Sequence, residues 1–308
     1  MCRHPTSRSA ALRFRRSHQP RVTSLHLVVG TPLPSAPVPE GHTIHRLALD
    51  QWRDLGGEAL AVTSPQGRMG DDAARLDGQR LRRIDAHGKH LFYRFGSATP
   101  SRATTLHVHL GLFGTFRRQP SPPAAPKATV RLRMTGAKWS VDLVGPTDCR
   151  ITDADQERTI LERLGPDPLR ADADPEVAWT RLQRRRIPIG EALLDQRIIA
   201  GVGNVYRAEA LYVHAIHPNR PANTITRYEF DGLWATLGAM LRRGVKDRRI
   251  ITLDGDDLHA FGVPRSRIAS KEAVYVYKKD RCLRCETPID RWDMSGRWAY
   301  ACATCQVR

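Results

Sequence analysis

The spacing of apolar residues changes twice along the chain, and each change predicts a different kind of structure. Between residues 41 and 57, apolar residues recur every three or four positions, which predicts one amphipathic helix ending near Gly56-Gly57. The apolar face comprises Ile44, Leu47, Ala48, Trp52 and Leu55, and the polar face comprises Arg46, Asp50, Arg53 and Asp54. Residues 58–155 alternate in short runs such as HLFYRF, TLHVHL, VRLRMT and WSVDLV, which predict a β-rich domain with RRQPSPPAAPKA as a loop.

After LGPDPL, residues 164–169, the pattern becomes helical. The helical segments are PEVAWTRLQRR, IGEALLDQRIIA, NVYRAEALYVHA and YEFDGLWATLGAMLRRGVKD. A β domain followed by a helical domain predicts two bodies with a cleft between them. Residues 1–37 carry six arginines, no acidic residue and a Pro/Ser/Thr-rich end, which predicts disorder. No apolar run reaches the about 18 residues that a membrane span needs, so we expect no membrane association.

The net charge of the chain limits the classes of molecule that it is expected to bind. Lysine and arginine number 49 against 32 acidic residues, a formal net charge of +17. Such an excess favours a polyanion, most simply nucleic acid, and the alternative is a merely basic soluble surface. The arginine clusters at 184–186 and 248–249 are predicted to be solvated or to follow phosphates.

The strongest motif is C-x2-C-x16-C-x2-C near the C-terminus. Its ligands are Cys282, Cys285, Cys302 and Cys305. Two such knuckles predict one tetrahedral Zn²⁺ with four thiolates and no open position, which indicates a structural role. The intervening RWDMSGRWAYAC predicts two strands joined at Ser295-Gly296, with Arg297 at or near the tip. The remaining cysteines, Cys2 and Cys149, stand alone, so metal binding in a reducing compartment is favoured over disulfides.

Three further sequence patterns are less specific, and each has a purely structural interpretation. AGVGNVYRAEAL, residues 200–211, predicts a turn between helices with Asn204 as N-cap, either a plain hairpin or a phosphate seat. Lys89 in AHGKHLF starts a strand, where a lysine is usually solvated surface. His107 and His109 share one strand face without an acidic or third histidine partner nearby, and we expect them to be structural.

Four separated motifs together resemble the formamidopyrimidine-DNA glycosylase and endonuclease VIII family. They are PEGHTIHRLA, HGKHLF, QRIIAGVGNVYRAEAL followed by IHPNRP, and the hairpin ending GRWAYACATCQ. The likeness runs from Pro39 to Gln306, and LGPDPL fits the interdomain linker. It implies an α+β multidomain fold: an N-terminal β-sandwich with a leading helix, a helix–two-turn–helix domain and a zinc-finger β-hairpin. The expected boundaries are a leader at 1–38, the sandwich at 39–156, a linker at 157–171, the helical domain at 172–272 and the hairpin at 273–308.

The resemblance implies a bifunctional DNA glycosylase and abasic-site lyase of base excision repair. In that family the nucleophile is the α-imino group of an N-terminal proline, which matches Pro39, and Glu40 matches the adjacent carboxylate. Lys89 matches the lysine near the lesion phosphates. Asn204 and Arg297 match the residues that grip phosphates flanking the damaged nucleotide.

Substrate preference rests on the turn in HLGLFGTF, residues 109–116. Leu112 and Phe113 occupy the position of the void-filling wedge, and the pair looks more like the endonuclease VIII branch than the formamidopyrimidine branch, where a methionine is typical. This favours oxidised pyrimidines; the alternative is that both residues are ordinary core. His42-Thr43 departs from the Pro-Glu of many relatives, and residues 252–273 could form a lesion-capping loop.

A proline inside a peptide bond has no amine lone pair to offer, so the nucleophile must be freed. We expect translation to start at residue 38 through a GTG codon read as Met, followed by removal of that methionine. Cleavage between Val38 and Pro39 is the second possibility, and an extended inactive enzyme the third. Removing the leader's six arginines leaves 17 − 6 = +11 charges, still basic enough for DNA.

The expected partner is double-stranded DNA with oxidised bases or abasic sites. We expect the protein to bind it as a monomer, and to be cytoplasmic and associated with the nucleoid. Three alternatives stay open. The first is a non-catalytic damaged-DNA-binding module with Pro39 blocked by the leader, and the second is formamidopyrimidine/8-oxoguanine specificity. The third is an RNA-binding zinc ribbon, which leaves Pro39, Glu40 and Lys89 unexplained.

Overall fold

The first helix carries the proline-glutamate motif into the fold. The computed structural model describes residues 39–96, 103–260, 262 and 264–307, and the predicted leader at 1–38 lies outside them. Helix α1 spans Gly41–Leu55, as predicted. Its predicted faces are wrong at two positions, because Trp52 is exposed and Asp54 is buried. The Asp54 carboxylate accepts a hydrogen bond from Arg118 Nε at 2.5 Å, which offsets the cost of burying it.

Two four-stranded antiparallel sheets follow α1 and share one apolar core with it. The elements are β1 (Ala61–Thr63), α2 (Gly70–Leu76), β2 (Leu81–His87), β3 (His90–Gly96), β4 (Ala103–His109), β5 (Thr115–Pro120), β6 (Val130–Thr135), β7 (Trp139–Val144) and β8 (Asp148–Thr152). The sheet orders are β1-β6-β7-β5 and β2-β3-β4-β8. This is the predicted sandwich. The predicted RRQPSPPAAPKA loop is shorter than expected, because its first four residues belong to β5.

Helices dominate the chain from residue 154 onward. They are α3 (Ala154–Arg163), α4 (Pro175–Gln183), α5 (Ile189–Ala192), α6 (Asn204–Val213), α7 (Arg227–Asp247) and α8 (Gly255–Ala260). The predicted linker, 157–171, begins inside α3 and ends before α4. A second apolar core forms among α4 to α7. Helix α7 begins with a capping box, in which Thr226 and Glu229 satisfy each other's backbone N–H groups.

The C-terminal hairpin has the predicted form. Strand β9 (Ile289–Met294) pairs with β10 (Arg297–Cys302), and Ser295 and Gly296 form the two-residue turn. Both turn residues have positive φ, as a type I′ turn requires. A third apolar core joins α6, residues 251–276 and this hairpin. Among the described residues, no helix combines the length and apolar character needed to cross a lipid bilayer.

Candidate active site and DNA-binding surface

Glu40 connects the start of the chain's described part to the helical domain. It stands at the N-cap of α1, but its side chain does not cap that helix. Its carboxylate accepts hydrogen bonds from the backbone N–H groups of Gly203 at 3.0 Å and Val205 at 2.9 Å, at the start of α6. Since the N-cap of α6 is a glycine without a side-chain acceptor, Glu40 supplies that cap from 163 residues away.

The site also places Glu40 in a shielded environment. Its side chain is almost fully buried. Burial raises the pKa of the Glu40 carboxyl, while the nearby Lys89 ammonium and the α6 backbone donors oppose this shift. A carboxyl group in this setting is suited to exchanging protons with a bound substrate.

Three glycines, one from each of three of the four family-like motifs, meet beside Glu40. The Gly41 N–H donates to the Gly201 carbonyl at 2.8 Å. A Cβ on Gly41 would lie 2.8 Å from Gly201 Cα, and one on Gly88 would lie 2.9 Å from Ala200 Cβ. Side chains at these positions would therefore push apart the backbones that hold Glu40 and Lys89 together.

Lys89 lies at the tip of the β2–β3 hairpin. His87 pairs with His90, so Gly88 and Lys89 form the two-residue turn, and Gly88 has a φ of +58°. Burial lowers the pKa of the Lys89 ammonium, the Glu40 carboxylate opposes this shift, and Arg297 adds to it. The structure thus brings Lys89 within electrostatic reach of both Glu40 and Arg297, although the three residues lie far apart in sequence.

Asp167 fixes this hairpin against α1, a role that the sequence analysis missed. Its buried carboxylate accepts hydrogen bonds from the Gly88 N–H and from His45 Nε2, both at 2.7 Å. Burial alone would raise the pKa of Asp167, but the hydrogen bond and charge of His45 and the donated N–H groups lower it. The sequence signal that could have identified Asp167 is its position between two prolines in LGPDPL. A solvent-exposed loop does not need an aspartate at such a position.

Asn204 lies where predicted but plays a different part in its helix. It is the first residue of α6, whose N-cap is Gly203. The predicted phosphate seat is partly filled, because Glu40 takes the Gly203 and Val205 N–H groups. The Asn204 amide donates to the Trp298 carbonyl at 3.1 Å, which links α6 to the hairpin near Arg297.

Two buried charged residues of α6 extend this link. Arg207 donates to the Asn204 side-chain oxygen and to the Trp298 carbonyl, the latter at 2.7 Å. Glu209 accepts from the N–H groups of residues 275, 276 and 277 and from the Thr252 hydroxyl. No role was predicted from the sequence for either residue. Both are charged residues at buried positions of the apolar pattern in NVYRAEALYV, and this signal could have identified them.

The four predicted metal ligands converge. Their sulfur atoms all lie within 4.8 Å of one another, and Cys282–Cys305 and Cys285–Cys302 are 3.8 and 3.4 Å apart. Zn–S bonds of about 2.3 Å in a tetrahedron place sulfurs about 3.8 Å apart, so the cluster has the size of a metal tetrathiolate. Two of the cysteines are buried and two half-buried, as expected of a structural site.

Leu112 and Phe113 are not core residues. They lie in the connection between β4 and β5, which belong to different sheets. Leu112 is 45 % exposed and Phe113 is 87 % exposed. Gly111 and Gly114 flank them, and the Gly114 N–H closes the turn onto the Leu110 carbonyl at 3.0 Å. Two adjacent apolar side chains held out on a tight turn have the form of a wedge.

The prediction that His107 and His109 lack partners is wrong. His90 Nδ1 lies 2.8 Å from His107 Nε2, the His90 and His109 rings stack at 4.6 Å, and Asp148 Oδ2 lies 3.4 Å from His107 Nδ1. Cross-strand pairing in the β2-β3-β4-β8 sheet creates this array. Burial lowers the pKa of His90 to about 3 and of His107 to about 4, so these two imidazoles are neutral at pH 7.

Part of the arginine prediction is also wrong. Arg248 pairs with Asp50 of α1 at 2.8 Å. Arg249 donates to three backbone carbonyls, those of Arg265, Ser266 and Ile268. Arg248 nevertheless stays exposed, as predicted. Arg249 departs from the prediction, because it fixes part of the predicted lesion-capping loop at 252–273 instead of lying free on the surface.

His42, which differs from the usual motif, contributes to packing. It is 5 % exposed and lies edge-on to Tyr206, with ring centroids 5.3 Å apart. Burial lowers its pKa to about 4. A Cβ on Gly244 of α7 would lie 2.2 Å from the Tyr206 hydroxyl oxygen and 2.9 Å from His42 Cγ. His42 thus fills a tight space among α1, α6 and α7.

Comparison with known proteins agrees with this architecture. The formamidopyrimidine-DNA glycosylase N-terminal domain model matches residues 38–154, and the H2TH domain model of the same enzyme matches residues 164–254. The chain is 42 % identical to Endonuclease 8 1 of Mycobacterium tuberculosis over 276 residues, covering 88 % of this chain and 100 % of the relative. It is 29 % identical to the formamidopyrimidine-DNA glycosylase of Synechococcus over 289 residues, covering 87 % and 98 %.

Solved structures share the fold. Lactococcus lactis Fpg in complex with DNA containing N7-benzyl-Fapy-dG matches with a TM-score of 0.72 and 22 % identity, over 88 % of this chain and 100 % of that chain. The same protein with abasic-site DNA matches with a TM-score of 0.72 over 87 % and 100 %. The chain therefore belongs to the formamidopyrimidine-DNA glycosylase/endonuclease VIII family, whose members are DNA N-glycosylases with abasic-site lyase activity.

Proposed function

We propose that this protein excises oxidised bases from DNA through Pro39 and then cuts the strand at the resulting abasic site. One observation carries the proposal: the carboxylate next to Pro39 is held by the start of α6, the helix that also carries Asn204 and contacts the hairpin bearing Arg297. A proton-transfer group, a nucleophile position and phosphate-binding side chains thereby share one frame.

The chemistry uses the nitrogen of Pro39 as a secondary amine. This nitrogen attacks C1′ of the damaged nucleotide, the base leaves with a proton, and Glu40 protonates the ring oxygen as the sugar opens. The resulting iminium acidifies the C2′ proton, whose loss expels the 3′ phosphate; a second elimination expels the 5′ phosphate. Because an amide nitrogen has no such lone pair, the active form must begin at Pro39. The proposed N-terminal domain therefore starts at this residue.

Binding of the damaged strand would depend on one amide and two cationic side chains around Glu40. Lys89 would contact the phosphates of the lesion, and Asn204 and Arg297 those that flank it. Leu112 and Phe113 would fill the space left when the nucleotide leaves the stack. The outward position of the last pair supports this assignment, since buried side chains could not enter DNA.

The cysteine cluster would hold one Zn²⁺ as a structural ion. Four thiolates suit zinc, and four protein ligands leave no position for a reacting group. When bound, the ion would fix the two knuckles beneath the β9–β10 hairpin. The hairpin in turn sets the place of Arg297, so loss of the metal would weaken DNA binding and not the proton chemistry at Glu40.

We propose oxidised pyrimidines, such as thymine glycol and 5-hydroxycytosine, as the preferred lesions. The Leu112-Phe113 pair supports this choice, and so does the higher identity to an Endonuclease 8 than to the formamidopyrimidine-DNA glycosylase compared above. The enzyme would act as a monomer on double-stranded DNA in the bacterial cytoplasm.

The test is cleavage of otherwise identical duplexes that carry thymine glycol, 5-hydroxycytosine, 8-oxoguanine or an abasic site, using a protein that begins at Pro39. We expect faster excision of both pyrimidines than of 8-oxoguanine, and cleavage products with phosphates at both ends. Faster excision of 8-oxoguanine would assign formamidopyrimidine-type specificity. Binding to all four duplexes without cleavage would indicate that the protein is a non-catalytic damaged-DNA-binding module.

A further inference from the structure

The β9–β10 hairpin exposes an aromatic ring that the proposed mechanism does not use. Trp298, the residue after Arg297, is 54 % exposed. In the hairpin register it pairs with Asp293 and shares its face with Arg291 and Tyr300. The opposite face carries Trp292 and Met294, which contact His217 and Arg207 of the helical domain. The Trp298 side of the hairpin is therefore the side turned away from that packing.

Hydrogen bonds fix the backbone at Trp298 against α6, so the strand presents the indole from a defined position. Its carbonyl accepts hydrogen bonds from Asn204 Nδ2 at 3.1 Å and from Arg207 Nη2 at 2.7 Å. Arg207 is itself almost completely buried. The same amide of Asn204 that is proposed to face a phosphate thus also anchors the strand that presents the indole.

Two arginines flank the exposed ring, with the Asp293 carboxylate on the paired strand opposite it. The Arg291 guanidinium lies 5.9 Å from the Trp298 ring centroid, and Arg297 precedes Trp298 in the chain. Farther along the same face, Tyr300 is buried and meets Tyr277 edge-on at 5.1 Å, so Trp298 and not Tyr300 offers a free ring. An exposed aromatic ring between arginines, next to the residues proposed to bind phosphates, is an arrangement on which single-stranded nucleic acid stacks its bases.

We propose that Trp298 stacks on a nucleobase with a free face, on the strand that Asn204 and Arg297 hold. This rests on the proposed function. In a continuous duplex both faces of each base are covered by its neighbours. The Trp298 ring, held on a fixed hairpin, therefore has no free base face to stack on in such a duplex. A base beside a one-nucleotide gap, or in a single strand, offers such a face. Since the proposed reaction leaves a gap, Trp298 would retain the enzyme on its own product until a gap-filling reaction displaces it.

The experiment compares dissociation from three DNAs: a continuous undamaged duplex, the same duplex with a phosphate-flanked one-nucleotide gap, and a single strand of the same sequence. Trp298→Ala should dissociate about tenfold faster from the gapped and single-stranded DNAs, as expected for loss of one stacked base, and less than about twofold faster from the continuous duplex. Trp298→Phe should recover most of the effect. Tyr228→Ala, which removes an 89 % exposed ring on α7, is the matched control and should change none of the three rates.

Equal acceleration on all three DNAs would overturn the proposal, because the ring would then support the hairpin instead of a free base. Unchanged dissociation of Trp298→Ala from all three would overturn it as well. Borohydride trapping of the unsubstituted enzyme on an abasic duplex, run alongside, reports on the proposed catalytic function separately. Failure there would count against the Pro39 chemistry while the three dissociation rates would still decide the role of Trp298.

Discussion

Gly203→Ala tests how Glu40 is held, because the structure leaves no space for a methyl group there. A Cβ on Gly203 would lie 2.2 Å from Cδ, 2.4 Å from Cγ and 2.6 Å from Oε1 of Glu40. The backbone at Gly203 is extended, with φ −122° and ψ −168°, so an alanine meets no conformational penalty of its own. The whole effect of the substitution must therefore pass through the Glu40 side chain.

The expected loss follows from the contacts that would break. Moving the carboxylate away removes the hydrogen bonds from Gly203 and Val205, each worth about 1.5–3 kcal/mol for a charged acceptor. Since a displaced carboxylate regains part of this elsewhere, we expect Gly203→Ala to lower the free energy of unfolding by about 3 kcal/mol. Strand cleavage at abasic sites should fall at least about 100-fold, because the proton donor leaves its position.

A double-mutant cycle with Glu40→Ala isolates the contact. In that background the obstructing atoms are gone, so Gly203→Ala should cost less than about 1 kcal/mol in urea unfolding. Gly70→Ala is the matched control, because a Cβ there meets nothing within 4 Å. An equal cost of Gly203→Ala with and without the Glu40 side chain would refute the reasoning.

Three further predictions address the remaining parts of the site. Because burial lowers the pKa of Lys89, this side chain loses its charge at a lower pH than an ordinary lysine, whose pKa is 10.5. As the pH rises, abasic-site cleavage at subsaturating DNA should therefore begin to fall before pH 10.5 is reached, and Lys89→Arg should keep its rate to higher pH, whereas equal declines would contradict this. Leu112→Ala and Phe113→Ala should change the free energy of unfolding by less than about 0.5 kcal/mol, since both side chains are exposed, yet slow base excision from duplex DNA more than cleavage at a preformed abasic site; parallel losses would argue against a wedge. Cys305→Ala should abolish the binding of one metal ion per chain, measured by elemental analysis, and weaken DNA affinity, and retained metal would disprove the four-thiolate site.

The features predictable from sequence are those set by local spacing. The end of α1 at a Gly-Gly pair, the two-residue hairpin turn at Ser295-Gly296 and the convergence of four knuckle cysteines follow from short-range rules. Each depends on residues a few positions apart, or on a metal-ligand spacing that fits one geometry.

The features that escaped prediction depend on distant partners. Asp54 is buried because Arg118, 64 residues later, reaches it and stacks over the Trp139 ring at 3.1 Å. The histidine array appears only when β3 and β4 pair in a register that no single segment reveals. Glu40 caps α6 instead of its own helix for the same reason: the α6 N–H groups arrive through the tertiary fold.

The central claim is that the nitrogen of Pro39 forms the covalent intermediate. Borohydride trapping on an abasic duplex, followed by peptide mass spectrometry of the crosslink, tests it directly with the 308-residue chain and a protein beginning at Pro39 in parallel. The account predicts a crosslink only when Pro39 is the first residue, with the DNA remnant on that proline. A crosslink mapped to Lys89, or one formed equally well by the full chain with residues 1–38 still attached, would contradict it.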